Sequence, residues 1–168
     1  SEAVDCIISL LETYGQHGNC GFDKKFYYDN AFLIADNDEA YVLETAGRNY
    51  VVKKVMDIAT ISNCLSIGED YDRKSSNFEG NFKKKFQNNL FTLVAGAEKR
   101  KKATFDALTE EGKPFYLLKK ALCCHSSSKI DVNKSSTDSV CMHAGNLFGD
   151  QTTGSYFGEI NKCYFVTG

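Results

Sequence analysis

The chain has 168 residues, 42% hydrophobic and 25% charged, with a formal net charge of −2. That length suffices for one domain with a working core, and the composition is that of an ordinary globular chain, not a disordered or fibrous one. No apolar run approaches the roughly 20 residues of a membrane-spanning helix and no signal peptide opens the chain, so a cytoplasmic protein without membrane contact is expected.

The small net charge hides an asymmetry. Residues 1–72 carry 13 acidic and 5 basic side chains, whereas residues 73–168 carry 9 and 15. The basic excess lies in Lys83–Lys85 and Lys99–Lys102, where a solvated helix face explains such runs better than a nucleic-acid surface. Seven cysteines is a high and odd count. Cys6 falls on the expected apolar face of a helix and Cys163 in a strand-like run, which reads as reduced thiols in an intracellular protein. Asn133-Lys134-Ser135 fits a glycosylation sequon, but such a match needs a secreted context to matter.

In chain order, Ser1 is placed to cap a helix whose apolar stripe is Val4, Ile7, Ile8, Leu11 and Tyr14, ending before Gly15. Residues 15–21 are too glycine-rich for helix or strand and read as a structured loop. Ala31–Asp36, Ala40–Ala46 and Tyr50–Val55 then form apolar runs split by Asn37-Asp38 and Gly47-Arg48, the signal of consecutive hairpins. The first run is apolar on both alternations, so its sheet needs cover on both faces. Residues 66–80 read as a long polar loop. From Asn81 a helical period places Phe82, Phe86, Leu90, Leu93 and Ala97 on one side, with a break at Gly96 and an end near Leu108. Pro114 opens a further helix over 115–125, with Leu117, Leu118, Ala121 and Leu122 apolar. After a serine-rich loop, Ser139–Ala144, Ser155–Ile160 and Lys162–Val166 look like strands. This order favours an α+β layered domain over alternating βαβ units.

Five segments, in one order along the chain, resemble the secernin and dipeptidase family of cysteine peptidases, members of the N-terminal nucleophile (Ntn) hydrolases. AVDCIISLLETYGQHGNCG is similar to a family helix followed by a YGQGGNCG-type loop, with His17 where glycine is usual. DNAFLIADNDEAYVLETAGRNYVVKKV resembles the NSFLIAD…EAWVLETAG region, and TISNCLSIGEDYD the ISN…L(S/T)IG segment. FYLLKKALCCH is similar to a helix ending in an LRDH-type sequence, with Cys123 and Cys124 in place of Arg and Asp. SVCMHAGNLFGDQTTGSYFGEI resembles the CMHAG…QTTGSM segment.

The resemblance implies an αββα sandwich, here incomplete, with residues 1–168 forming a single partial domain. It also implies an enzyme that cleaves amide bonds of short peptides, with no cofactor. In such enzymes an N-terminal cysteine attacks as a thiolate, its own α-amino group (pKa about 8 before perturbation) serving as base. The tetrahedral oxyanion is held by donors worth roughly 3 kcal/mol each. The family's nucleophile precedes the helix matched by Val4–Tyr14 by more than about a hundred residues, so it is expected outside this chain, which then reads as the middle of a longer hydrolase. None of the seven cysteines fits the role by position, and Ser1 reads as a cap.

What remains is the supporting half of a site. Asn63 matches the position of an oxyanion-donating Asn, with a turn or cap role as the alternative. Asn30, at the start of the first strand, is a candidate substrate contact or a turn residue. Glu44 lies in an apolar strand, where burial costs several kcal/mol unless it is paired, so it is either a structural ion pair or a substrate contact. Cys123-Cys124-His125 and Cys141-Met142-His143 invite a zinc reading. Their spacing lacks the usual C-x₂₋₄-C form, and the family segments account for both histidines, so no metal is expected. The reading from a different class is a secernin-like binding or regulatory protein without peptidase activity.

Overall fold

The structure, a computed structural model, describes residues 1–16, 19, 22, 25, 27–87, 96–125, 137, 139–144, 151–160 and 162–167, the last six by their backbone. The loop expected over 15–21 therefore lies in large part outside the described residues. So do Leu90, Leu93, the sequon at Asn133 and most of the serine-rich loop. Two compact units are distinguished: Ser1–Asp57 with Leu65–Gln87, and Ile58–Cys64 with Asn88–Gly168.

In the first unit, α1 spans Glu2–Tyr14. Its 3.6-residue period turns Val4, Ile8 and Leu11 inward, and all three are buried, each contributing about 1.5–3 kcal/mol by leaving water. Two expected members of the stripe differ. Tyr14 is 77% exposed and Cys6 is exposed, because both fall at the margin of the stripe rather than over the sheet. The helix stops at Gly15, whose φ of 74° suits glycine and whose N–H bonds Leu11 O at 2.8 Å. The Arg48 guanidinium also donates to the carbonyls of Glu12 and Thr13, satisfying acceptors that a helix end leaves open.

Strands β1 (Ala31–Ala35), β2 (Ala40–Ala46), β3 (Asn49–Val55) and β4 (Arg73–Lys74) form one antiparallel sheet in that order. The β1–β2 turn is closed by Asp36, whose Oδ1 accepts from the N–H groups of Asp38 and Glu39 at 2.9 Å each. Those backbone donors hold its carboxyl below the usual range. The β2–β3 turn places Gly47 at φ 60°, and the register sets Leu43 opposite Val52 and Phe32 opposite Leu43. Leu43, Tyr50 and Val52 thereby join Val4, Ile8 and Leu11 in one core. The opposite face is buried too, at Val42, Glu44, Ala46 and Val51. The mixed α/β class is thus present, with β2 and β3 buried on both faces; β1, expected to need cover on both, is covered on one, since Leu33 on the face away from α1 is 51% exposed.

Within the stretch expected to be only loop, β4 adds the fourth strand, since Asp72 and Ser75 N–H groups bond the carbonyls of Val52 and Tyr50. Beyond it, α2 (Phe82–Phe86) is capped by Asn81, whose side chain accepts from Lys84 N–H. Phe82 is buried against Phe78 and Phe86, ring centroids 5.2 and 4.9 Å away, and the Lys85 ammonium lies over the Phe78 and Phe86 rings. The continuous helix expected from Asn81 ends at Gln87, where the backbone turns extended.

In the second unit, Gly96 in the left-handed region begins α3 (Ala97–Leu108), and Lys113-Pro114 opens α4 (Pro114–Leu122). Leu117 and Ala121 form the buried side of α4. Strands β5 (Gly154–Glu159) and β6 (Lys162–Thr167) make a two-stranded antiparallel sheet. Phe115 of α4 meets Phe157 of β5 edge to face, centroids 4.9 Å apart. The strand expected over Ser139–Ala144 is not one; the segment is irregular backbone. Among the described residues no helix is long and apolar enough to cross a membrane.

Candidate functional site

Glu44 illustrates how an apolar strand tolerates a carboxylate. It is fully buried, and it accepts hydrogen bonds from the Ser66 N–H (2.8 and 2.9 Å), the Ser66 hydroxyl and the Ile67 N–H (3.0 Å). Among the described residues it makes no salt bridge, so backbone donors stand where an ion pair was expected. Charge-assisted bonds of this kind are strong, and they fasten the 66–67 segment to the face of β2 opposite α1. As placed, Glu44 is a structural bracket.

Asn30 is similarly engaged. Its Nδ2 donates to Gln16 Oε1 at 2.9 Å, its N–H reaches Gln16 and Thr45, and its carbonyl accepts from Thr45 N–H and Oγ1 at 3.0 and 2.6 Å. Gln16 Nε2 in turn donates to Asp29 Oδ1 and Gly47 O. This network joins the end of α1 to the β2–β3 turn. Thr45, fully buried, is its centre.

Asn63 stands elsewhere, in the second unit. Cys64 N–H bonds Ser62 O at 2.7 Å, a two-residue closure that makes Asn63 the apex of a γ-turn. Its side chain is exposed.

The densest group of reactive side chains lies in the second unit as well. His125 Nε2 and His143 Nε2 are 2.9 Å apart, the ring planes are within 5° of parallel, and Cys141 Sγ is 3.9 Å from His143 Nε2. Ligand atoms of His125, Cys141 and His143 all lie within 4.8 Å of one another. The backbone explains the convergence. Both Val140 N–H and Cys141 N–H donate to the Cys124 carbonyl just past α4, at 3.1 and 3.0 Å. Met142 then pairs with Thr152, giving its N–H to Oγ1 at 2.9 Å and accepting from Thr152 N–H at 3.0 Å. Met142 is held by Thr152, and its neighbours Cys141 and His143 lie close to His125. Beside them is a cavity of about 170 Å³ whose walls include Leu122, Cys123, Cys141, His143, Thr152 and Phe157.

Burial pushes the Cys141 thiol up, with the nearby Cys123 adding to the shift, and burial also pushes the Cys124 thiol up. Neither is an activated nucleophile at neutral pH, since the thiolate is the reactive form. The residue types of this cluster are visible in the sequence. Their proximity is not, because it depends on one carbonyl joining segments some sixteen residues apart. The basic runs lie on different helices: Lys83–Lys85 on α2, Lys99–Lys102 on α3.

No family model matches the chain, and no solved structure matches it. What the structure establishes is the class: a mixed α/β protein with a four-stranded antiparallel sheet, a two-stranded sheet and helices.

Proposed function

We propose that this chain is a portion of a cysteine-dependent, dipeptidase-like hydrolase of the Ntn type, acting in the cytoplasm on amide bonds of short peptides. The observation that carries this reading is the run of five segments resembling the secernin and dipeptidase family in one order. A four-stranded antiparallel sheet whose middle strands are buried on both faces, with α1 against one of them, is also in keeping with one layer of an αββα sandwich. In this reading the attacking thiolate and its α-amino base come from residues outside these 168. The exposed Asn63 amide at the turn apex is the group available to donate to an oxyanion.

The test uses protein extended upstream of Ser1. It should hydrolyse dipeptides and lose that activity when its N-terminal cysteine is alkylated, while the 168-residue chain alone should hydrolyse none. Asn63→Ala should lower kcat about 100-fold with folding unchanged. Loss of folding instead would make Asn63 a turn residue only, and absence of turnover in the extended protein would overturn the hydrolase reading.

One observation favours the second reading, a binding or regulatory protein without peptidase activity: Asn30 and Glu44, both candidate substrate contacts, direct their polar atoms into the scaffold. The same turnover assay separates the two.

A further inference from the structure

We propose that His125, Cys141 and His143 form a binding site for a zinc-class divalent metal ion, bound through the two Nε2 atoms and Sγ. Neutral imidazole and thiolate are the donors such ions prefer, and zinc sites with three protein ligands leave a fourth position open.

The distances fit. A tetrahedral zinc with bonds of about 2.0–2.1 Å to nitrogen and 2.3 Å to sulfur sets its ligands about 3.3 Å (N···N) and 3.6 Å (N···S) apart. The corresponding separations here are 2.9 Å for His125–His143 and 3.9 Å for Cys141–His143. These two therefore change by only about 0.3–0.4 Å to receive the ion, and the third pair, His125–Cys141, lies within 4.8 Å.

With Nε2 facing Nε2 at hydrogen-bond distance, one ring must donate and the other accept, and protonating both would place two donors head to head. The ring centroids are 5.2 Å apart, so the two lone pairs point at one another; a tetrahedral ion sits off that line, and both rings tilt toward it to bind.

The support for the ligands comes from backbone hydrogen bonds and the Thr152 hydroxyl. The Cys124 carbonyl holds the 140–141 segment, and the Met142–Thr152 pair holds the ligands on either side of Met142. Cys141 and His143 also line the 170 Å³ cavity, so the fourth coordination position opens toward it. That space admits water or a small anion.

Cobalt(II) titration of the purified full chain tests the site, because cobalt reports thiolate ligation by visible absorption. The expected result is saturation at one equivalent, with thiolate-to-cobalt charge-transfer and tetrahedral d–d bands, and displacement of the cobalt by zinc. Loss of an outer-shell partner typically costs about 10–100-fold in metal affinity, so His143→Ala, which removes a ligand, should cost more than about 100-fold. Cys141→Ser should abolish the charge-transfer band, and Cys123→Ser should leave it. Circular dichroism of each variant separates loss of ligand from loss of fold. Absence of the bands in the wild-type chain overturns the proposal. So does an undiminished band in Cys141→Ser, which would place the metal on Cys123 and Cys124 instead.

Discussion

Glu44 in the sheet and His143 in the irregular 139–144 segment are both ionisable groups away from bulk water, and they are treated in opposite ways. Glu44 has a donor for each oxygen, all from Ser66 and Ile67, and is wholly buried. His143 is half-buried and meets another imidazole nitrogen and a thiol, where the tautomer decides which group donates. A polar group whose partners complement it stabilises a fold; groups whose lone pairs converge are arranged for something that comes between them. The contrast separates scaffold from site without reference to any relative.

The comparison breaks most visibly at Glu44. Replacing it with Ala removes the acceptor for two N–H groups and leaves a cavity, and should destabilise the first unit by about 4 kcal/mol in urea unfolding. Glu44→Gln keeps the shape but turns one acceptor into a donor facing N–H groups, costing about 2 kcal/mol. If Glu44→Gln left stability unchanged while the extended protein lost peptide turnover, Glu44 would be a substrate contact and the contrast would fail.

Leu43→Ala probes the other face of β2 and should cost about 3 kcal/mol, since Leu43 is fully buried between α1 and the sheet. Thr45→Val keeps the volume but removes the hydroxyl at the centre of the Asn30–Gln16 network, and about 1–2 kcal/mol should be lost. His143→Ala in the absence of metal should cost less than about 1 kcal/mol, because a half-buried side chain at a site does little for folding. A cost equal to that of Leu43→Ala would mark His143 as core.

The smallest effect is electrostatic. The hydrogen bond from Lys53 holds the Asp70 carboxyl below its usual range. A depressed folded-state pKa means the pair's stability is present above the unfolded carboxylate range and is lost as pH falls through the folded value. Both side chains are largely exposed, 43% and 62%, so solvent screening keeps the contribution under about 1 kcal/mol. Asp70→Asn should flatten the acid limb of the stability curve by no more than that, and added salt should shrink the difference.

Much of the first unit is legible in its residues. Val4, Ile8 and Leu11 recur at helical spacing, Asn37-Asp38 and Gly47-Arg48 mark two turns, and the strands lie where the apolar runs do, within one residue. β4 escapes sequence reading because Arg73-Lys74 are paired by register to Val52 and Val51, not chosen for strand propensity. The helix from Asn81 stops early because Gln87 adopts an extended backbone, which apolar period alone does not encode.

The cluster in the second unit is the harder case. Cys141-Met142-His143 looks like a strand by alternation, yet its backbone bonds go to Cys124 and Thr152 instead of a ladder. Spacing rules for zinc describe ligands on one local motif. Here the ligands come from the end of α4 and from a loop that one carbonyl tethers to it, so the site exists only in three dimensions.

Native-state hydrogen exchange of the full chain, with and without one equivalent of zinc, tests the contrast between scaffold and site most directly. Added metal should slow exchange at Val140, Cys141, Met142 and Thr152, whose amides hold the ligand segment, and leave the β1–β3 amides unchanged. Exchange that is unaffected by zinc, or slowed equally in the sheet and the cluster, would contradict it.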